Sequence, residues 1–251
     1  MFGQRPKVGR KLHFIGDSKH KQNIAGPVHP EMVHFYDHFT GDTLATDDWL
    51  VTVTSTDTCA VDHTYPGGWA LFTTAAAADG EVTYLSTPLA WEDDMSAICE
   101  ARILITDVSG VAVYFGFSDA TFETSPAMAI DYDGGVLAAG ANNAVGFIID
   151  ADDTVNGASS IMAVGVNDGD LETAIDSGKD WADGKIHVMR VELNPDGDAT
   201  FWLDEVRIGF METAVVSGTM MCITCQVANR DAASDTVKVD RVDGWEDEYT
   251  V

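Results

Sequence analysis

Hydrophobic and polar residues alternate with a period of two along residues 184–210, and this pattern predicts three consecutive antiparallel strands. In the first strand Met189 and Val191 share one face, while Arg190 and Glu192 share the other. The result is a meander with one apolar face. A meander cannot bury that face by itself, so the pattern also predicts a second sheet that covers it.

Two turns connect the strands of this meander. Residues 194–198 contain Pro and Gly, which favour a reversal of the chain. Asp204 and Glu205 then form a two-residue loop that lets Leu203 pair with Val206. Either Glu205 takes an unfavourable positive φ or the turn is of another type.

Shorter segments with strand character occupy much of the remaining chain, and no capped helical segment is evident. The clearest predicted hairpin joins residues 101–106 to residues 111–117 through Ser109-Gly110. We therefore expect an all-β, two-sheet antiparallel jelly-roll sandwich. In this prediction the meander lies in the middle of one sheet, and residues 98–117 form much of the other.

Charge divides the chain into two parts. Residues 1–34 carry a net charge of +4 and residues 35–251 a net charge of −31, within a total of −27. We predict an extended basic N-terminal arm, 1–34, followed by one jelly-roll domain, 35–251. The basic side chains of the arm are Arg5, Lys7, Arg10, Lys11, Lys19 and Lys21.

The acidic body excludes some partners. It would repel phosphates, so we expect no nucleic-acid partner. No apolar run approaches the roughly 18 residues of a membrane span, so we expect no membrane partner. The basic start also lacks the apolar core of a secretion signal, which argues against export by that route.

Two groups of residues have the residue types of a metal site, but their spacing along the chain does not bring the side chains together. Cys222 and Cys225 lie three apart in a predicted strand, so they point to opposite faces, and we expect buried structural cysteines. His34, Asp37 and His38 are spaced along an extended segment, where the two histidines lie roughly 13 Å apart. We favour ordinary surface or interface histidines there.

The acidic segment from residue 150 to residue 157 has the oxygen density of a calcium loop. The candidate ligands are Asp150, Asp152, Asp153 and Asn156. The Glu that closes an EF-hand loop is replaced by Ile161. We therefore favour a solvated loop, with a calcium site as the alternative interpretation, and we expect no other cofactor.

Aromatic residues supply a candidate sugar contact. Trp69 and Trp91 are expected in the core or at a subunit contact. Trp202 lies on the strand face opposite Phe201 and Leu203, and we single it out as a possible glycan-stacking residue.

Packing motifs in order along the chain resemble those of the concanavalin A-like (lectin/glucanase, laminin-G-like) jelly-roll superfamily. They lie at 35–44, 99–103, 114–120, 199–206 and 239–242, and the resemblance covers about residues 35–248. It is closest in character to the versions that tailed phages carry as virion structural proteins. The resemblance supports the fold more than an activity.

The chain departs from this superfamily at two points. Its members commonly have Gly where this chain has Glu205. Its retaining glucanases carry carboxylates at alternate positions of one strand, as Glu-x-Asp-x-(x)-Glu, and no such array is found in this sequence. We therefore expect no catalytic residues and no enzymatic activity.

The favoured hypothesis combines the charge division with the resemblance. It describes a non-enzymatic virion structural protein on the capsid surface that decorates or cements the capsid. Its basic arm binds the major capsid protein or other acidic virion subunits. We expect a homo-oligomer. The alternative is a carbohydrate-binding, lectin-like module that contacts host surface glycans, and a glycoside hydrolase is the third hypothesis.

Overall fold

The computed structural model describes residues 32–64, 67–76, 80–122 and 125–247. Within these ranges the chain forms nineteen strands and two short 3-10 turns, Asp93–Met95 and Val108–Gly110. The strands are β1 Met32–Asp37, β2 Leu50–Val53, β3 Thr58–Asp62, β4 Trp69–Thr73, β5 Val82–Ser86, β6 Trp91–Glu92, β7 Ile98–Ile105, β8 Val111–Ser118, β9 Ile130–Asp133, β10 Val136–Ala139, β11 Ala144–Asp150, β12 Ser160–Asn167, β13 Asp170–Leu171, β14 Ile175–Asp180, β15 Ile186–Leu193, β16 Ala199–Leu203, β17 Val206–Met211, β18 Met220–Asn229 and β19 Thr236–Asp247. None of the helical segments in the described ranges has the length and apolar character needed to span a bilayer.

Two antiparallel sheets form the body of the protein, and this confirms the predicted jelly-roll sandwich. The first sheet has the order β17-β16-β15-β7-β19-β4-β3, with β1 paired to β19. The second has the order β13-β12-β11-β8-β18-β5-β2, with β14 paired to β12 and β6 to β18. The predicted meander is β15, β16 and β17, and it lies at one edge of the first sheet rather than in its middle.

Apolar side chains from the facing sides of both sheets make the main core. Met189, Val191 and Phe201 of the first sheet are buried there, opposite Phe115 and Phe147 of the second. The rings of Phe147 and Phe201 meet edge to face, with their centroids 5.7 Å apart. Full burial of one such side chain contributes roughly 1.5–3 kcal/mol. Because many side chains are buried between the two sheets, this core supplies much of the stability of the fold.

The hairpin predicted around Ser109-Gly110 is wrong. β7 pairs with β15 and β19 in the first sheet, whereas β8 pairs with β11 and β18 in the second. The 3-10 turn Val108–Gly110, capped by the Asp107 carboxylate, carries the chain from one sheet to the other. Both strands have an apolar face because those faces meet across the core, and alternation alone does not distinguish this arrangement from a hairpin.

The outer face of the second sheet is also buried, because residues of the segments 119–122 and 125–143 lie over it. Tyr114 and Ile148 point outward from β8 and β11 and pack in a second apolar cluster with Met128 and Ile130. The hairpin of β9 and β10 belongs to this covering layer. Consequently every residue of β8 and of β11 is buried.

The two-residue turn between β16 and β17 has the strain that the sequence suggested. Asp204 and Glu205 both lie in the left-handed region, at φ of 52° and 67°. The Asp204 carboxylate holds the turn, because it accepts the Val188 N–H at 3.1 Å and contacts His187 Nδ1 at 2.8 Å. Glu205 has no comparable anchor among the described contacts, so its backbone conformation costs free energy without local compensation.

Replacing Glu205 with Gly should therefore stabilise the protein. Gly adopts a positive φ without steric cost, so we expect Glu205→Gly to raise the free energy of unfolding by about 1 kcal/mol. Urea denaturation of the wild type and the variant measures the difference. Glu212→Gly is the control, because Glu212 is also exposed but its φ is outside the left-handed region, and there Gly should be neutral or destabilising. An unchanged or lowered stability for Glu205→Gly contradicts the argument.

Candidate functional site

A buried ion pair organises the end of the second sheet near the covering layer. Asp150 ends β11, and Arg230 follows the last residue of β18. The guanidinium of Arg230 donates two hydrogen bonds to the Asp150 carboxylate, from Nε at 2.9 Å and from Nη2 at 2.8 Å. The Asp150 carboxylate also accepts the backbone N–H groups of Tyr132 and Asp152, each at 3.0 Å. These bonds join β9, β11 and β18 at one point.

Two further carboxylates approach the same guanidinium. Asp131 Oδ2 lies 3.6 Å from Arg230 Nη2, and Asp152 Oδ2 lies 3.5 Å from Arg230 Nε. Asp131 is on β9, whereas Asp152 is in the turn after β11. Three acidic side chains from two segments therefore surround one arginine.

These residues line an open polar cavity of about 570 Å³. Its walls are Gly80, Asp131, Tyr132, Asp133, Gly134, Gly135, Asp152, Thr154 and Arg230. Gly134 and Gly135 form the tight turn between β9 and β10, and a Cβ added to Gly135 would lie 2.5 Å from the Thr154 hydroxyl oxygen. Gly135 also has a positive φ of 84°, which glycine adopts without strain, and it leaves main chain exposed at the cavity wall. We call this space the Arg230 cavity.

Charge and burial shift the acid–base behaviour of the groups around the cavity. Burial raises the pKa of Asp131, and neighbouring Asp150 adds to the rise, although Arg230 opposes it. Burial acts to lower the pKa of Arg230, but the bonds to Asp150 outweigh it, so the pKa of Arg230 lies above its ordinary value. The site therefore holds one permanently charged cation and a carboxyl group, Asp131, that takes up a proton more readily than an ordinary aspartate.

The calcium candidates fall partly in this site. The carboxylate of Asp150 is bound to Arg230, while that of Asp153 accepts the backbone N–H groups of Val155 and Asn156 at 3.0 and 2.8 Å. Burial acts to raise the pKa of Asp153, but the bonds from Asn156 outweigh it and lower the pKa. In the part of the chain that the structure describes, no group of three or more His, Cys, Asp or Glu side chains is arranged to hold a metal ion. Calcium binding stays a prediction.

A second charged cluster lies on the outer face of the first sheet. Glu100 of β7 and Asp243 of β19 are directly opposite each other, and Arg241 contacts both carboxylates. Arg190 of β15 joins the cluster through Glu100 at 3.6 Å and Glu192 at 3.1 Å. Burial raises the pKa of Asp243 to about 7, against the opposing effect of Arg241 and with a further rise from Glu100.

Trp202 belongs to this second cluster. It points away from Phe201 and Leu203, as the sequence indicated, but it is only 2% exposed. The guanidinium of Arg190 lies over its ring, 4.7 Å from the centroid. In this arrangement the ring offers no open surface on which a sugar could stack.

The other candidates have structural contacts. Cys99, Cys222 and Cys225 are buried free cysteines, and Cys59 is partly buried. Trp69 and Trp91 are buried, as predicted. His34 stacks on Trp245 at a centroid distance of 5.5 Å.

Asp37 has a structural role as well. Its carboxylate accepts the Phe39 N–H at 2.6 Å and the Trp49 indole N–H at 2.7 Å.

The predicted arm is described only at its end. β1 begins at Met32, so Met32, Val33 and His34 of the predicted arm pair with β19 in the first sheet. The basic residues proposed to bind a capsid, Arg5, Lys7, Arg10, Lys11, Lys19 and Lys21, lie outside the described residues.

Carboxylates at alternate positions occur on one strand beside the cavity. Asp131 and Asp133 share a face of β9, and both line the Arg230 cavity. The three outward positions before Asp150 on β11 hold Ala144, Gly146 and Ile148 instead. No described strand carries the complete glucanase array of three carboxylates at alternate positions.

The sequence interpretation missed Asp131, Asp133 and Arg230. A signal was present, because Asp131-Tyr132-Asp133 alternates polar and aromatic residues, and Arg230 is one of only eight basic residues in 35–251. Only the covering layer, however, brings Asp131 close to Arg230.

Comparisons with known proteins support the fold. No protein-family model matches the sequence, and no curated protein matches it either. Solved structures do match. A glycoside hydrolase family 16 endo-glucanase from Bacteroides ovatus aligns at a TM-score of 0.57 and 11% identity, over 83% of this chain and 98% of that chain. LamA from Zobellia galactanivorans, solved with laminaritriose and laminaritetraose, aligns at 0.59 and 12% identity, over 86% and 99%.

A sialidase also aligns, at a TM-score of 0.56 and 12% identity over 84% of this chain, but the chain spans only 18% of the sialidase. At these identities the likeness establishes the fold alone. The protein has the concanavalin A-like jelly-roll fold that these carbohydrate-active proteins share.

These structures correct two expectations from the sequence. The hypothesis of a capsid-decorating virion protein, bound to shell subunits through its arm, is wrong, because the matching structures include glycoside hydrolase family 16 glucanases and nothing in the comparisons indicates a virion protein. The expectation that the chain has no enzymatic activity is overturned by the same finding. Both expectations depended on packing motifs and a charge division, neither of which specifies a ligand.

The Arg230–Asp150 pair should be a major source of stability. We expect Arg230→Met to lower the free energy of unfolding by about 3–5 kcal/mol, because it leaves the buried Asp150 carboxylate without its cation. The double variant Arg230→Met/Asp150→Asn should recover part of that loss, since it removes the charge that was left. Urea denaturation tests both variants. If Arg230→Met were as stable as the wild type, the ion pair would not be a major source of stability.

The second cluster predicts a pH dependence of stability. The folded-state pKa of Asp243 is raised to about 7, so its contribution is fully present below pH 4 and is lost as the pH rises through 7. We expect Asp243→Asn to reduce the fall in the free energy of unfolding between pH 4 and pH 8 by roughly 4 kcal/mol. Denaturation curves across this range, with Asp196→Asn as an exposed control, measure the effect. Equal pH slopes in the wild type and Asp243→Asn would contradict the assignment.

Proposed function

We propose that the protein is carbohydrate-active and binds an oligosaccharide in the Arg230 cavity. The observation that carries this proposal is the concentration of hydrogen-bonding groups around an open space of about 570 Å³. That volume lies within the range of small-molecule sites. The concanavalin A-like fold, shared with glucan-degrading enzymes, supports the same class of ligand.

The chemistry of the cavity wall suits a sugar. Asp131, Asp133 and Asp152 supply carboxylate oxygens that accept hydrogen bonds from hydroxyl groups. The Thr154 hydroxyl adds a group that both donates and accepts, and the Gly134–Gly135 main chain is unshielded by side chains. Bonds to charged acceptors are the stronger kind, so a few of them hold a polyhydroxylated ring in one orientation.

Soluble β-glucan oligosaccharides are the first probes, because the matching structures include a complex with laminaritriose and laminaritetraose. We expect isothermal titration calorimetry with laminari- and mixed-linkage oligosaccharides to detect binding. Asp133→Ala should weaken that binding about 10–100-fold, because it removes a charged acceptor from the cavity wall. Asp196→Ala is the matched control, since Asp196 is exposed and outside the cavity. A panel of glycans with no binder, or equal effects of the two variants, would refute the site.

Hydrolysis of the bound glycan is the second candidate function, and one specific observation favours it. Burial raises the pKa of Asp131, the property expected of a carboxyl that donates a proton to a glycosidic oxygen. Asp152 Oδ2 lies 3.5 Å from Nε of the same guanidinium, so two carboxyl groups border the cavity, and glycoside hydrolysis uses such a pair. In this mechanism Asp131 protonates the departing oxygen, and Asp152 takes a proton from the attacking water.

The mechanism predicts a rate effect and a pH effect. Asp131→Asn should lower kcat at least about 100-fold while changing affinity little, because the amide still fills the site but donates no acidic proton. Activity should fall as the pH rises above the raised pKa of Asp131, because the carboxyl then has no proton to donate. A reducing-sugar assay on β-glucans measures both. Absence of turnover by the wild type, with binding intact, would exclude hydrolysis of that glycan and leave the binding proposal standing.

A further inference from the structure

We propose that the Arg230 cavity selects sugars that carry a protonated amino group, such as hexosamines, over neutral and anionic sugars. This inference rests on the proposed function, since it concerns the charge of the sugar that the same cavity binds. It follows from the position of each charge around the cavity and from the chemistry of the possible cations.

The positive charge of Arg230 is directed into the protein rather than toward a ligand. Its Nε and Nη2 atoms both bond to Asp150, whose carboxylate is completely buried. Asp150 therefore balances the charge of Arg230. The remaining carboxylates at the wall are Asp131, Asp133 and Asp152, and no other cationic residue is found among the described residues that line the cavity.

This excess of negative charge discriminates among sugars. A uronic or sialic acid would place a further carboxylate among three others, and like charges at such distances are unfavourable, most of all where they are partly shielded from water. A neutral sugar gains only hydrogen bonds. An ammonium group can donate up to three hydrogen bonds to the carboxylates, whereas a hydroxyl donates one, and it also gains favourable Coulomb energy.

The positions of the carboxylates suit an organic cation better than a metal ion. Calcium requires six to eight oxygen ligands around one point, whereas the guanidinium of Arg230 lies between Asp131 and Asp152. An ammonium group needs only three acceptors. Asp131 and Asp133 project from the same face of β9, roughly 7 Å apart, so one of them can hold the ammonium while the other accepts a ring hydroxyl.

The test compares four oligosaccharides of equal length by isothermal titration calorimetry: a glucosamine tetramer, its N-acetylated form, cellotetraose and a tetragalacturonate. The pH is held where the amine is protonated. We expect the glucosamine tetramer to bind at least tenfold more tightly than the N-acetylated and neutral tetramers, and the galacturonate to bind least. Its affinity should also fall with added salt more steeply than that of cellotetraose.

A charge-only variant separates selectivity from binding. Asp133→Asn keeps the shape of the cavity and should weaken binding of the glucosamine tetramer at least tenfold more than it weakens binding of cellotetraose, so the preference for the amine falls. Asp196→Asn, which removes an equal charge outside the cavity, should leave the preference unchanged.

Several results would overturn the inference. Equal or tighter binding of a neutral or N-acetylated tetramer would do so, as would a calcium-dependent rise in Tm that Asp133→Asn abolishes, because the cavity would then be a calcium site. If no tetramer of any charge binds, and no other glycan does, the proposed function itself fails. If neutral glucans bind and the amine has no advantage, the proposed function survives and only the selectivity is wrong.

Discussion

Burial of both faces of the second sheet is the constraint on which the rest of this structure depends. β8 and β11 are apolar on each side, so the first sheet can cover only one of their faces. Residues of the segments 119–122 and 125–143 cover the other. Hydrophobic burial is not directional, but here it places a hairpin at the end of β11, and the hairpin carries Asp131 and Asp133. The candidate site therefore exists because an apolar surface had to be removed from water.

The Arg230–Asp150 pair fixes this arrangement more narrowly than apolar contact does. A hydrophobic layer tolerates small displacements, whereas a bidentate pair with two additional backbone N–H donors has a single favourable geometry. Its cost is the burial of two charges, which only nearly ideal geometry offsets. The pair therefore contributes to the positions of the cavity walls as well as to stability.

The sequence predicted much of the fold because period-two alternation and turn residues are local signals. The meander from Ile186 to Met211 and the strained turn at Asp204-Glu205 follow from such signals. The partners of β7 and β8 do not, because inward apolar faces look alike whether two strands are paired or opposed across a core. The candidate site was harder still to predict. Asp131 and Arg230 are nearly one hundred residues apart in the sequence, and only the covering layer brings them together. The calcium hypothesis did find Asp150 and Asp152, but composition does not indicate that an arginine accompanies them.

The Gly134–Gly135 turn is a position where the sequence of such a protein can vary. Its residues contribute to the cavity wall but not to the contact between the two sheets. Insertions or substitutions at this loop can alter which molecule is accommodated without disturbing the interior of the sandwich. The shape of the cavity can thus change at this turn while the two packed sheets stay as they are, so sequence variation there carries little risk to folding.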